Sequence, residues 1–289
     1  MSTDENLDGL ITTVELERKL DAPNLRVFDA TVHFASDGTT RSGLDDWRGG
    51  HIPGSRFVDL PTEFSEPDDE LRFTRPSAEH LDRILGMLGI DDGSEVVVYS
   101  AAPGSTMWAT RLWWLLRAAG VERVALLDGS LSKWKAEGRA ISVEDCRYAE
   151  TSVRSRPDES WWATQEEVKS AIGSEKVCTL NALPRALYTG EAEMGYSRPG
   201  RITGSQNAPY TGVLDPESGL LRSEADLHDY FSMIEAGSDT RVISYCGGGI
   251  AATLTGFALR RLGHDNVGVY DGSLNEWSRD PALPMETGA

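Results

Sequence analysis

The chain has 289 residues, 39% hydrophobic and 26% charged, the composition of a folded soluble protein with room for two ordinary domains. A formal net charge of −18 excludes a broad basic face, so neither nucleic acid nor an anionic membrane is an expected partner. No stretch approaches the roughly 20 apolar residues of a membrane span, and the polar residues 1–6 lack the basic and apolar runs of a signal peptide.

A cytoplasmic location is therefore expected. The three cysteines, Cys146, Cys178 and Cys246, are far apart and form neither a disulfide framework nor a metal spacing. Reduced thiols follow, with no metal and no cofactor called for.

In chain order, residues 25–29 predict a short apolar strand and residues 76–88 an amphipathic helix. Residues 95–100, Glu-Val-Val-Val-Tyr-Ser, are β-branched and of buried-strand type. A helix over 108–119, stopped by Gly120, and a buried strand at 124–127 complete the first half. The polar stretch 144–158 has no period and reads as a linker. The second half repeats the series: strands at 177–180 and 241–245, a helix over 251–262 ended by Gly263, and a strand at 267–270.

The two halves are copies of one unit. Asp128-Gly129-Ser130-Leu131 returns as Asp271-Gly272-Ser273-Leu274, and Trp134 as Trp277, at one offset of 143. Gly50-His51-Ile52-Pro53-Gly54-Ser55 is echoed by Gly200-Arg201-Ile202-Thr203-Gly204-Ser205. Alternating strands and helices imply an α/β fold in which each unit has a central parallel sheet flanked by helices. The expected boundaries are a first domain at 1–143, a linker at 144–160 and a second domain at 161–289.

Chemistry concentrates at Cys246-Gly247-Gly248-Gly249-Ile250-Ala251. The strand ending at Tyr245 delivers Cys246 to the carboxyl end of a parallel sheet, where ligands of open α/β folds bind. Three glycines let the chain curl so that the N–H groups of Gly247, Gly248, Gly249, Ile250 and Ala251 converge. The following helix adds its positive end. A sulfur there is stabilised as an anion, which makes Cys246 a nucleophile. Aligning the strands of the two halves at an offset of 145 puts Ala101 opposite Cys246, so the first domain is expected to be non-catalytic. A phosphatase loop would need an arginine at Ala252, which disfavours that reaction; a purely binding or regulatory module is the other alternative.

These motifs resemble the tandem-domain rhodanese family, the thiosulfate and 3-mercaptopyruvate sulfurtransferases. The resemblance spans nearly the whole chain, on residues 50–55, 200–205, 246–251 and 271–277. It implies two tandem rhodanese-like domains, a catalytic second domain and a site between them. It also implies a Cys246 persulfide that carries sulfur from a small anionic donor to cyanide or a thiol. The neutral loop looks more like the mercaptopyruvate type. Gly248, however, stands where that group has a hydroxyl, and Ala251 where it has threonine, so a serine-assisted proton relay cannot operate in that form.

Leu187 occupies the place of a family substrate-binding arginine, and Asn181 that of an aspartate. Arg185, two residues before Leu187, is the candidate replacement, and Arg198 matches a second anion-binding arginine. His51, in the Gly-His-Ile-Pro-Gly motif, either fixes that turn or reaches the substrate.

Overall fold

In the computed structural model, which describes residues 9–35, 39–66, 71–237 and 239–288, the β-branched runs are the middle strands of two parallel sheets. The first sheet contains β1 (Gly9–Ile11), β2 (Leu25–Asp29), β3 (Ser55–Phe57), β4 (Glu95–Tyr99) and β5 (Val124–Leu127), in the order β1-β5-β4-β2-β3. The second contains β6 (Trp162–Ala163), β7 (Val177–Asn181), β8 (Gln206–Asn207), β9 (Arg241–Tyr245) and β10 (Val267–Tyr270), in the order β6-β10-β9-β7-β8. Every pairing is parallel and the two orders match strand for strand, so the duplication extends to topology. Among the described residues no helix is long and apolar enough to cross a membrane.

Burial explains why these runs are strands. Val96, Val97, Val98 and Tyr99 on β4, like Val242, Ile243 and Tyr245 on β9, are almost fully enclosed. β-branched side chains suit positions covered on both faces. The flanking helices used below are α1 (Ala78–Met87), α2 (Thr106–Ala118), α3 (Ser130–Ala136), α4 (Arg185–Tyr188), α5 (Ala251–Arg261) and α6 (Ser273–Trp277). Trp134 on α3 and Trp277 on α6 are both fully buried. Each indole N–H donates to a carbonyl a few residues on, Ala140 at 2.8 Å and Pro284 at 3.1 Å.

The chain divides into two compact units whose boundaries differ from the expected ones. Unit 1 takes 9–35, 40–65 and 76–158, and unit 2 takes Thr39, Glu66, 71–75 and 159–288. Residues 144–158 are therefore a strap on unit 1, not a free linker. The Tyr148 hydroxyl accepts from Val27 N at 2.8 Å, Thr151 N donates to Gly86 O at 3.0 Å, and Arg156 N to Ala119 O at 2.8 Å. Its polar, aperiodic sequence resembles a linker because main-chain hydrogen bonding, not an apolar face, holds it. Residues 71–75, from the first half of the sequence, belong to unit 2.

Hydrogen bonding also corrects the register of the repeat. Leu131 N donates to Ser100 O as Leu274 N donates to Cys246 O, and Ser132 N to Ala101 O as Asn275 N to Gly247 O. Tyr99 and Tyr245 both pair their hydroxyls with a serine, Ser55 at 2.8 Å and Ser205 at 2.7 Å. The residue opposite Cys246 is thus Ser100, not Ala101. Strands align at 146 and the following helices at 143, so the first unit's loop is three residues longer.

In the same register Asp29, buried at the end of β2, is the counterpart of Asn181. Burial pushes the Asp29 carboxyl up to about 6, against hydrogen bonds from Thr31 that favour its ionised form. A carboxyl raised in the folded state stabilises it fully below the unfolded value near 3.8, and that contribution is gone once pH has risen through about 6. Asp29→Asn should therefore flatten stability between about pH 4 and 6. At pH 7 it should add up to about 3 kcal/mol, at 1.36 kcal/mol per unit. Urea unfolding at pH 4, 5, 6 and 7 checks this; an unchanged slope would contradict it.

Candidate active site

The carboxyl ends of β9 and β10 bring the cysteine loop against the start of α6. Ser273 is the fastener. Its hydroxyl accepts from Cys246 N at 3.0 Å and Gly249 N at 3.2 Å, and donates to Tyr270 O at 2.7 Å. Two N–H groups of α6 complete the clamp, Leu274 N on Cys246 O at 3.2 Å and Asn275 N on Gly247 O at 2.8 Å. Ser273 adopts φ +48, a left-handed conformation that a serine side chain tolerates at some cost. Its twin Ser130 does the same at φ +62, but the buried Ser130 hydroxyl has no hydrogen-bond partner among the described residues.

Ser273→Ala should leave two loop N–H groups without their acceptor. The expected loss is about 1–3 kcal/mol of stability, with turnover down roughly tenfold as Cys246 loses its fixed position. Urea midpoints and steady-state rates measured together check this. Unchanged values for both would show that the fastener is elsewhere.

Cys246 is only 2% exposed, so the thiol lies inside the loop and not on the surface. Four of the five expected cradle residues keep their N–H groups available. Those of Gly247, Gly248, Ile250 and Ala251 have no acceptor among the described residues, while that of Gly249 is taken by Ser273. Gly249 instead supplies the turn, at φ +74, where a side chain would strain the backbone. The N-terminus of α5 begins at Ala251 and directs its dipole at the same place.

Two tyrosines that the sequence reading missed belong to the surroundings of this loop, Tyr196 packed on Gly247 and Tyr210 near enough to feel the charge of Cys246. A Cβ on Gly247 would lie 2.9 Å from Cζ of Tyr196, so the phenol occupies the space that the glycine leaves open. Burial, and next the negative charge of Cys246, raise the Tyr196 phenol above its ordinary range; the same two causes act on Tyr210. Neither tyrosine lies in a Gly-rich or repeated motif. The only sequence signal for Tyr196 is its place two residues before Arg198.

Segment 71–75 of unit 2 lies beside this loop. Arg75 N donates to Asp271 Oδ2 at 2.7 Å, and Arg72 O lies 3.8 Å from where a Gly248 Cβ would stand. Arg75 pairs with Glu159 at 2.8 Å.

The structure separates the other expected ligands. Arg198 is not a free anion binder. Its guanidinium donates to four main-chain carbonyls, Ser278 at 2.9 Å, Leu283 at 2.8 Å, Trp277 at 3.1 Å and Asp280 at 2.6 Å. It ties the chain after α6 to residue 198. His51 is also structural. It is fully buried, its ring nitrogens meet Trp47 O at 2.7 Å and Glu144 O at 3.0 Å, and it stacks on Trp47 at 4.0 Å.

Arg185 is exposed at the start of α4, which follows β7 at the carboxyl edge of the sheet. Asn181 on β7 pairs with Tyr245, the residue before Cys246. Leu187 is buried, as an apolar replacement for an arginine requires. The Cys178 thiol is pushed up to about 11 by burial, and burial also raises Cys146. Neither is poised for reaction.

A rhodanese-like domain matches residues 12–137 and again 164–280. A probable 3-mercaptopyruvate sulfurtransferase of Pseudomonas aeruginosa is 32% identical over 284 residues, covering 96% of this chain and 98% of that protein. A thiosulfate sulfurtransferase of Gallus gallus is 29% identical, covering 88% and 86%. The crystal structure of the 3-mercaptopyruvate sulfotransferase SseA from Escherichia coli superimposes with a TM-score of 0.81 at 26% identity, covering 91% of this chain and 98% of that one. With its doubled sheet and cysteine loop, the chain belongs to the rhodanese family. It is a sulfurtransferase, built of two tandem copies of the domain.

Proposed function

We propose that Cys246 takes a sulfane sulfur from thiosulfate or 3-mercaptopyruvate, holds it as a persulfide, and passes it to a thiophilic acceptor, cyanide or a thiol. The observation that carries this reading is an enclosed thiol heading a loop in which four N–H groups have no acceptor among the described residues, at the N-terminus of α5. A persulfide carries its negative charge on the outer sulfur, and such N–H groups stabilise it as an oxyanion hole stabilises oxygen. The first unit is non-catalytic in this reading, with Ser100 in the nucleophile's place and Pro103 in its longer loop.

Of the two arginines expected to meet the donor, Arg185 is the one whose guanidinium makes no hydrogen bond or ion pair among the described residues, and we assign it the donor's charge. A reducing, cytoplasmic compartment suits three free cysteines. Incubation with either donor should add one sulfur, about 32 Da, to Cys246 as a covalent intermediate. Cyanide should remove it. Absence of the adduct with both donors would overturn the reading.

A further inference from the structure

The cysteine loop contains no side chain able to donate a proton. Gly247, Gly248, Gly249, Ile250 and Ala251 offer only main-chain N–H groups. For thiosulfate this suffices, because sulfite departs with the S–S bonding pair and needs no proton. A 3-thiol-2-oxo carboxylate differs, because its leaving group departs as an enolate, a strong base that gains from a donor at its oxygen. A phenol stands in position to be that donor. Tyr196 packs directly on Gly247, in space that any side chain at 247 would fill. Among the described residues its hydroxyl meets only the thioether of Met194, at 3.6 Å, and sulfur of that type is a weak acceptor.

Resting on the persulfide reading above, we propose that Tyr196 is a catalytic residue for 2-oxo-3-thiol donors, hydrogen-bonding the substrate's oxo oxygen and protonating the departing enolate. The step balances without an added reactant. Cys246 thiolate attacks the donor sulfur; the S–S bond forms and the carbon–sulfur bond breaks, its electron pair passing into the enolate. The Tyr196 O–H proton moves to the enolate oxygen. The proton that began on the donor thiol, now on the outer persulfide sulfur, returns to the phenolate. The products are a Cys246 persulfide anion and an enol that tautomerises to the 2-oxo acid. Burial and the neighbouring Cys246 charge keep the phenol protonated, as this role requires.

The test compares Tyr196→Phe with the unaltered protein on 3-mercaptopyruvate and on thiosulfate, with cyanide as common acceptor. The ratio of the two turnover numbers is the readout. It should move at least about tenfold toward thiosulfate, the low end of general-acid effects. A role confined to packing would lower both donors alike, and an unmoved ratio overturns the proposal. Tyr210→Phe is the companion variant, because Tyr210 also feels the Cys246 charge. If it shifts the ratio and Tyr196→Phe does not, the assignment to Tyr196 is wrong. The mass of Cys246 after each donor separates the two levels of the argument. A persulfide from both donors with an unmoved ratio removes Tyr196 alone; no persulfide in the unaltered protein removes the underlying reading and this proposal with it.

Discussion

Cys246→Ser is expected to lower sulfur transfer from either donor by at least about a thousandfold, the scale of losing a covalent nucleophile. A serine oxygen stays protonated at neutral pH and forms no persulfide. The fold should be indifferent to the change, because unit 1 already carries Ser100 at the equivalent position, buried at 2% exposure. The main-chain bonds that hold residue 246, to Ser273 and Leu274, do not involve its side chain. Rates with both donors, measured beside a thermal unfolding curve, check this. Residual turnover near the unaltered level would move the chemistry to another thiol, and both Cys146 and Cys178 are raised by burial, the wrong direction for a nucleophile.

The second large effect concerns stability. Arg198→Ala removes four hydrogen bonds from a charged donor to the carbonyls of Trp277, Ser278, Asp280 and Leu283. Hydrogen bonds to charged groups contribute about 1.5–3 kcal/mol each, but a half-exposed, shared set is far from additive. A net loss of about 3 kcal/mol is expected, seen as a lower urea midpoint. Two of those carbonyls end α6, and the first turn of α6 carries Ser273, so turnover should fall with the midpoint. The Michaelis constant for the donor should stay within about twofold, since no ground-state anion contact is lost. Arg198→Lys should recover only part of the stability, because one ammonium cannot reach four acceptors in the fork geometry of a guanidinium. A tenfold rise in the Michaelis constant at unchanged stability would return Arg198 to the donor site.

The pattern of residues contained the duplication, the alternating α/β order and the cysteine loop. Strand periodicity, repeated Asp-Gly-Ser-Leu segments and a run of glycines are local signals, and the chemistry of a thiol at a helix N-terminus follows from neighbours in sequence. The register of the repeat was legible only to within one residue. The strands of the two halves differ in sequence, and hydrogen bonds from α3 and α6 were needed to set Ser100 opposite Cys246. Likewise residues 144–158 look like a linker until their main-chain partners on unit 1 are known.

Side-chain roles were the least legible. An arginine that binds an anion and one that ties down a loop are the same residue type in the same motif; only the positions of four carbonyls distinguish them for Arg198. His51 is the same case, decided by two carbonyls and the face of Trp47. Ser273 and Tyr196 lie 27 and 50 residues from Cys246 along the chain. Sequence adjacency therefore determined what the loop is and which atom is the candidate nucleophile. Which groups hold that loop, pack on Gly247 and leave Arg185 exposed was decided only in the fold, because hydrogen bonds and close packing depend on distances that a linear order does not contain.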